Sequence, residues 1–181
     1  MVLLRGINVG RSRRIGMGPL REALTAAGYT GVRTHLQSGN VVLDADRTAA
    51  DLASDVTALV QQSFGFDVPV MVRTAPELAA VATADPLAGT VTDPTRYLVT
   101  FLPTVPDAAR VAELPEPGPG EGAYRVVGRE LYLWLPDGVL QTPVGSWRWD
   151  RLLGMTGTAR NWNTVRALVD LATGGDPVWE R

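Results

Sequence analysis

Hydrophobic spacing along this chain alternates between two periods in a fixed order, and that order confines the fold to the α+β class. Residues 2–7 are a short apolar run with the pattern of a strand, followed by a Gly/Arg loop over 8–16. Pro19 suits the first turn of a helix that turns Leu20, Ala23, Leu24 and Ala27 inward, and Gly28 can stop it. Residues 32–37 and 41–43 flank Ser38-Gly39-Asn40, a hairpin signal. Leu52, Val56, Leu59, Val60 and Phe64 share one helical face, and 68–72 form the next strand. Thr74-Ala75-Pro76-Glu77 has the spacing of a capping box opening a further helix. The order β-α-β-β-α-β plus a helix is the split βαβ, or ferredoxin-like, plait.

The second half repeats the order. Residues 97–102 read as a strand, 106–113 as a short helix, and 124–127 with 130–135 as a hairpin about Gly128. A helix over 147–153, a strand near 156–159 and a helix over 161–171 complete it. The expectation is a duplication: two tandem ferredoxin-like subdomains, 1–91 and 92–181, each an antiparallel sheet with an additional C-terminal helix. No apolar run approaches the ~20 residues of a membrane span. No secretory signal opens the chain, so it reads as cytoplasmic.

Composition removes whole classes of chemistry. There is no Cys and one His, so neither a disulfide framework, a thiol nucleophile nor a multi-His metal site is available. All 17 basic residues are Arg, which excludes Schiff-base lysines and the P-loop lysine. Neither metal nor cofactor is expected. The net charge of −2 conceals a segregation. Residues 1–43 carry six Arg and one acid, 44–137 six Arg and fourteen acids, and 138–181 five Arg and four acids.

Arg11, Arg13 and Arg14 fall in one strand-to-helix loop, where backbone N–H groups and a helix N-terminus favour an anion. Arg adds planar, bidentate recognition of phosphate or carboxylate. A solvated basic loop paired with the acidic middle of the chain is the alternative. Gly6-Ile7-Asn8-Val9-Gly10-Arg11-Ser12 is one residue short of a P-loop and lacks its Lys, so a looser anion nest remains. Strand parity places Arg33, His35 and Gln37 together, Arg5 with Leu3 and Ile7, and Arg73 with Met71. The face of the first sheet not covered by helices is therefore expected to carry Arg5, Arg33, Gln37 and Arg73, either open to ligand or in structural ion pairs. All five Trp follow residue 130, and Tyr97, Phe101, Tyr132 and Trp134 form a stripe that reads as core rather than as a base-stacking surface. If 147–153 is one helix, at most one of Trp147 and Trp149 is free to stack.

Leu3-Leu4-Arg5-Gly6-Ile7-Asn8-Val9-Gly10 and Arg33-Thr34-His35-Leu36-Gln37-Ser38-Gly39-Asn40-Val41-Val42 resemble the opening of the bacterial family known as domain of unknown function 1697. Phe64-Gly65-Phe66-Asp67-Val68-Pro69-Val70 and Arg160-Asn161-Trp162-Asn163-Thr164-Val165 are similar to its later motifs, so the resemblance covers essentially the whole chain. It implies two ferredoxin-like subdomains and no particular reaction. The family's usual Tyr is replaced by His35, which argues against an essential base there. Its usual Ser-Lys-Leu is Ser146-Trp147-Arg148 in this chain, which moves any cationic role to Arg148.

The candidate ligand site joins Arg5, Asn8, Arg11, Arg13 and Arg14 with Gln37, Ser38 and Asn40, and with Arg160, Asn161, Trp162 and Asn163 at a second strand-to-helix junction. Asn161 as a helix cap and Trp162 as a packing group are the structural alternatives. Asp44, Asp46, Asp51 and Asp55 cluster in sequence, and Asp46 or its neighbours read as a cap of the following helix rather than the four as a Mg²⁺ site. Neither a nucleophile elbow nor a dinucleotide fingerprint is present. These features describe a module for an anionic ligand, either nucleic-acid backbone or a nucleotide-like phosphate. The alternatives are an enzyme on a small phosphorylated or carboxylated metabolite, and a protein-interaction module.

Overall fold

Residues 1–10 and 13–174 are described by the computed structural model. The first sheet is four-stranded, antiparallel and ordered β2-β3-β1-β4, from β1 (Val2–Leu4), β2 (Thr30–His35), β3 (Asn40–Asp44) and β4 (Val70–Val72). α1 (Met17–Ala26) and α2 (Ala49–Phe64) are its crossovers, and α3 (Ala75–Ala84) follows β4. The second sheet comprises β5 (Tyr97–Phe101), β6 (Ala123–Val127), β7 (Glu130–Trp134) and β8 (Thr158–Asn161). It is antiparallel in the order β6-β7-β5-β8, the same permutation as the first. α4 (Ala108–Ala112), α5 (Pro143–Ser146), α6 (Trp149–Leu152) and α7 (Trp162–Ala172), with a 3-10 turn over Pro94–Arg96, complete the described elements. The chain divides into two compact units, Met1–Leu78 with Leu168 onward, and Ala79–Ala167. No helix among the described residues is long and apolar enough to cross a membrane.

Local chemistry sets the element ends. Thr48 Oγ1 accepts from the Asp51 N–H at 3.1 Å and opens α2, while Gly65 closes it at φ 81°. Thr48, a neighbour of Asp46, is therefore the cap. Asp51 accepts from the Thr48 hydroxyl at 2.7 Å, and Asp55 pairs with Arg47 at 3.4 Å, so two of the four clustered carboxylates have side-chain partners. The capping box forms as the spacing predicts. The Thr74 N–H donates to Glu77 Oε2 at 2.8 Å, and the Glu77 N–H donates to Thr74 Oγ1 at 3.3 Å. Replacing Thr74 with Ala should lower stability by about 1 kcal/mol, read from the urea midpoint at unchanged m-value.

The first core lies between the sheet and its crossover helices. Val2, Leu4, Val41, Leu43 and Val72 meet Met17, Leu20 and Leu24 of α1 and Leu52, Val56 and Val60 of α2. The opposite sheet face is buried at its centre, while Arg33 on it stays exposed. Leu3, Val42 and Met71 are buried there, and Arg73 is 1% exposed. Parity also fails at both ends of the Arg-bearing strands. β1 stops at Leu4, and Gly6 at φ 67° turns Ile7 into the same core as Val2 and Leu4 rather than towards Leu3. β2 stops at His35, which leaves Gln37 in the turn.

In the second unit Leu102, Tyr124, Leu131, Leu133, Leu135, Val144 and Leu153 form a core. On the other face of its sheet the aromatic stripe is buried, as expected: Tyr97, Phe101 and Tyr132 are at most 1% exposed and Trp134 7%. The helix expected over 147–153 is only the single turn α6 (Trp149–Leu152), because Trp147 at ψ 143° and Arg148 at ψ 67° break the chain between it and α5. Because of that break both Trp rings reach the same neighbour. Trp147 and Trp149 lie 5.8 and 5.1 Å from the Tyr124 ring and 5.5 Å from each other.

Candidate functional site

At one end of the first sheet the β1–α1 loop and the β2–β3 turn are stitched into one structure. Asn8 is the staple. Its Nδ2 donates to the carbonyls of Ile15 at 2.9 Å and Gln37 at 2.6 Å, and its Oδ1 accepts from the Ile15 N–H at 2.9 Å. The Asn8 N–H also donates to the Arg13 carbonyl at 3.0 Å, which closes the loop on itself. Across the stitch, the Leu4 N–H donates to the Gly39 carbonyl at 2.8 Å. Asn40 does for the turn what Asn8 does for the loop. Fully buried, it donates from Nδ2 to the His35 carbonyl at 2.9 Å and to Ser38 Oγ at 3.0 Å.

The backbone here is held in costly conformations. Of the four described non-glycine residues with positive φ, three lie at this end: Asn8 at 57°, Arg13 at 53° and Leu36 at 57°. Asn tolerates that region, but for Arg and Leu it costs roughly 1–2 kcal/mol each. Such strain collects at functional sites when the surroundings fix it. The side chains it presents are cationic and apolar together. Arg5, Arg13 and Arg14 are exposed, alongside Val9 at 72% and Leu36 at 58%. Arg14 Nη2 donates to the Gly10 carbonyl at 3.2 Å, which leaves most of its guanidinium for solvent. Among the described residues none of these three Arg forms an ion pair with a carboxylate. Gln37 and Ser38 are exposed beside them. Arg11 lies outside the described residues, as does Ser12.

His35, at the end of β2, is 6% exposed, and burial lowers its pKa from 6.5. Below that value the unfolded chain binds the proton more readily than the folded one, so stability falls as the pH drops. A urea midpoint that declines between pH 7 and about pH 5.5, and that loses this component in His35→Tyr, is the expected result.

At the second junction, where β8 meets α7, the structural alternatives describe what is found. Asn161 Oδ1 accepts from the Thr164 N–H at 2.8 Å, an N-cap. Trp162 is 8% exposed with its ring centroid 4.8 Å from that of Tyr97, so it packs rather than offering a free face for stacking. Arg160 is 8% exposed, and its Nη1 donates to Thr158 Oγ1 at 2.8 Å and to the Ala159 carbonyl at 2.7 Å. Desolvation pulls its pKa down to about 10, so it stays charged at neutral pH. Asn163 is exposed. Among the described residues there is no group of three or more His, Cys, Asp or Glu that could hold a metal ion.

The staple roles of Asn8 and Asn40 are absent from a reading based on residue type alone. The available signal was Asn8 between Gly6 and Gly10 in a loop, since Asn is the non-glycine residue that best accepts positive φ.

The family model for a protein of unknown function, DUF1697, matches residues 1–132. The chain belongs to this family. The matched residues include the whole stapled end; the Arg160-to-Val165 motif lies beyond them. A solved structure, that of the conserved bacterial protein SP0830 from Streptococcus pneumoniae, is similar with a TM-score of 0.72 over 94% of this chain and 96% of that chain. At 19% identity this likeness of a DUF1697 chain to SP0830 shows the fold alone. No curated protein matches the chain.

Proposed function

We propose that this DUF1697 chain is a cytoplasmic module that binds nucleic-acid backbone at the stapled end of its first unit, and that each unit is a ferredoxin-like plait. The plait reading rests on the β-α-β-β-α-β order with the antiparallel strand order given above. The binding reading is carried by one observation: Arg5, Arg13 and Arg14 stand exposed and, among the described residues, without carboxylate partners, on a loop that Asn8 ties down in a strained conformation. A fixed loop presents its guanidinium groups with less ordering entropy lost on contact. An open cationic surface with exposed Val9 and Leu36 suits an extended polyanion better than an enclosed small ligand.

Salt dependence tests this directly. Three Arg–phosphate contacts give a slope of log K against log salt near −2 on a single strand and about −2.7 on duplex. Fluorescence anisotropy with labelled single-stranded RNA, single-stranded DNA and duplex should show such a slope. The triple variant Arg5→Ala/Arg13→Ala/Arg14→Ala should lose nearly all of it, roughly one unit per Arg. Flat binding across salt, or no binding to any of the three polymers, would overturn the reading.

A further inference from the structure

The turn between β2 and β3 presents an apolar side chain from a backbone conformation that disfavours one. Leu36 follows directly on β2 at φ 57° and is 58% exposed. A bulky residue in that region is a steric outlier, and Gly or Asn would relieve it. The surroundings over-determine the conformation. The His35 carbonyl on one side accepts from Asn40 Nδ2 at 2.9 Å, and the Gln37 carbonyl on the other accepts from Asn8 Nδ2 at 2.6 Å. Gly39 completes the turn, its carbonyl accepting from the Leu4 N–H at 2.8 Å. The chain thus holds a strained leucine whose side chain stays largely in water. Strain kept in this way collects where a residue is presented for contact.

The neighbours of Leu36 say what that contact is. Val9 and Leu36 each stand one residue from an end of the Asn8–Gln37 bridge, and Val9 is the more exposed of the two. Arg13, whose carbonyl accepts from the Asn8 N–H, is exposed at the same junction. Guanidinium groups answer phosphate, whereas aliphatic groups gain only by covering apolar surface. A duplex stacks its base faces on one another and turns charged phosphate outward, but a single strand leaves those faces open. Single-strand sites commonly cover them with aromatic rings. Neither the loop over 5–16 nor the turn over 36–40 contains an aromatic residue, so that contact falls to Leu36 and Val9. Gln37, exposed next to Leu36, carries an amide whose donor and acceptor match base edges.

We propose that Leu36, flanked by Val9, covers an unpaired base and so selects single-stranded nucleic acid over duplex at the stapled end. This rests on the nucleic-acid reading above and gives that site its substrate class. Counterion release alone favours duplex, whose slope per phosphate contact is the steeper. Tighter binding of a mixed-sequence single strand than of its own duplex, at matched salt, is therefore the expected result in fluorescence anisotropy. Leu36→Asn and Leu36→Gly should bind the single strand roughly tenfold more weakly and lose most of that preference. The salt slope, which counts the Arg contacts, should stay as it was. The urea midpoint of Leu36→Asn should equal or exceed that of the wild type, because Asn suits the positive φ. Lower midpoints in both variants would make Leu36 a packing group and overturn the inference. Single-strand affinity unchanged in both variants would overturn it too, as would an equal loss on duplex, the mark of a wedge between stacked base pairs. In each of those cases the polyanion reading survives. Wild-type protein that binds none of the polymers, or binds them without salt dependence, removes both together.

Discussion

Gly39→Ala should destabilise the first unit by about 2–4 kcal/mol and weaken polyanion binding with it. Gly39 sits at φ 78°, and a Cβ there would lie 2.8 Å from both Ile7 Cδ1 and Leu4 Cβ. Neither neighbour can retreat, because Leu4 is 0% and Ile7 3% exposed within the first core. The Gly39 carbonyl also receives the Leu4 N–H, so relief by backbone movement would unpick the stitch between loop and turn. Gly10→Ala is the matched control. It shares the positive φ, at 69°, but a Cβ there meets nothing within 4 Å, so only the conformational cost of roughly 1 kcal/mol applies. Urea unfolding of the two variants separates close approach from backbone conformation. Equal losses at the two positions would mean that the turn does not press on Leu4 and Ile7.

Periodicity carried most of the fold because both halves bury residues at regular spacings. Leu52, Val56 and Val60 recur every four residues, and the capping box at Thr74 and Glu77 marks its helix start by chemistry alone. What spacing could not carry were places where one residue changes direction. Gly6 breaks the parity of β1, Leu36 ends β2 in a left-handed conformation, and Arg148 delays the start of the helix expected from residue 147. Each is a backbone choice set by contacts distant in sequence, such as the Asn8 bridge to Gln37. Whether the residues on the sheet face away from the helices are exposed or buried could not be read, because the pattern of one strand says which side is apolar, not what comes to cover the other. Arg73 and Arg160 illustrate this: charged residues whose burial no local pattern announces. The candidate site was legible as a cluster of Arg in a loop. The hydrogen bonds from Asn8 and Asn40 to backbone carbonyls that tie its described parts together were not.

Trp162→Ala is expected to cost about 3–5 kcal/mol, the range for removing a large buried aromatic side chain. Trp162 is 8% exposed at the start of α7, directly after the Asn161 cap. Its ring meets Tyr97 at 4.8 Å and 31°, and Tyr97 in turn lies 6.2 Å from Tyr132. The Tyr132 hydroxyl donates to the Val81 carbonyl at 3.0 Å, so the ring series is anchored to α3. Burial raises the pKa of both Tyr hydroxyls, which therefore stay neutral. Deleting Trp162 opens a cavity against this series and removes a ring contact worth about 0.5–1.5 kcal/mol beyond its area. Trp162→Phe should recover most of the stability, and the folded variant should bind nucleic acid as the wild type does. A ring used for base stacking gives the reverse pattern. Trp162→Ala would then cost no more than an exposed substitution, within roughly 0.5 kcal/mol, while affinity for single strands fell by about 1–3 kcal/mol. Denaturant midpoints and anisotropy on the same two variants decide between packing and stacking.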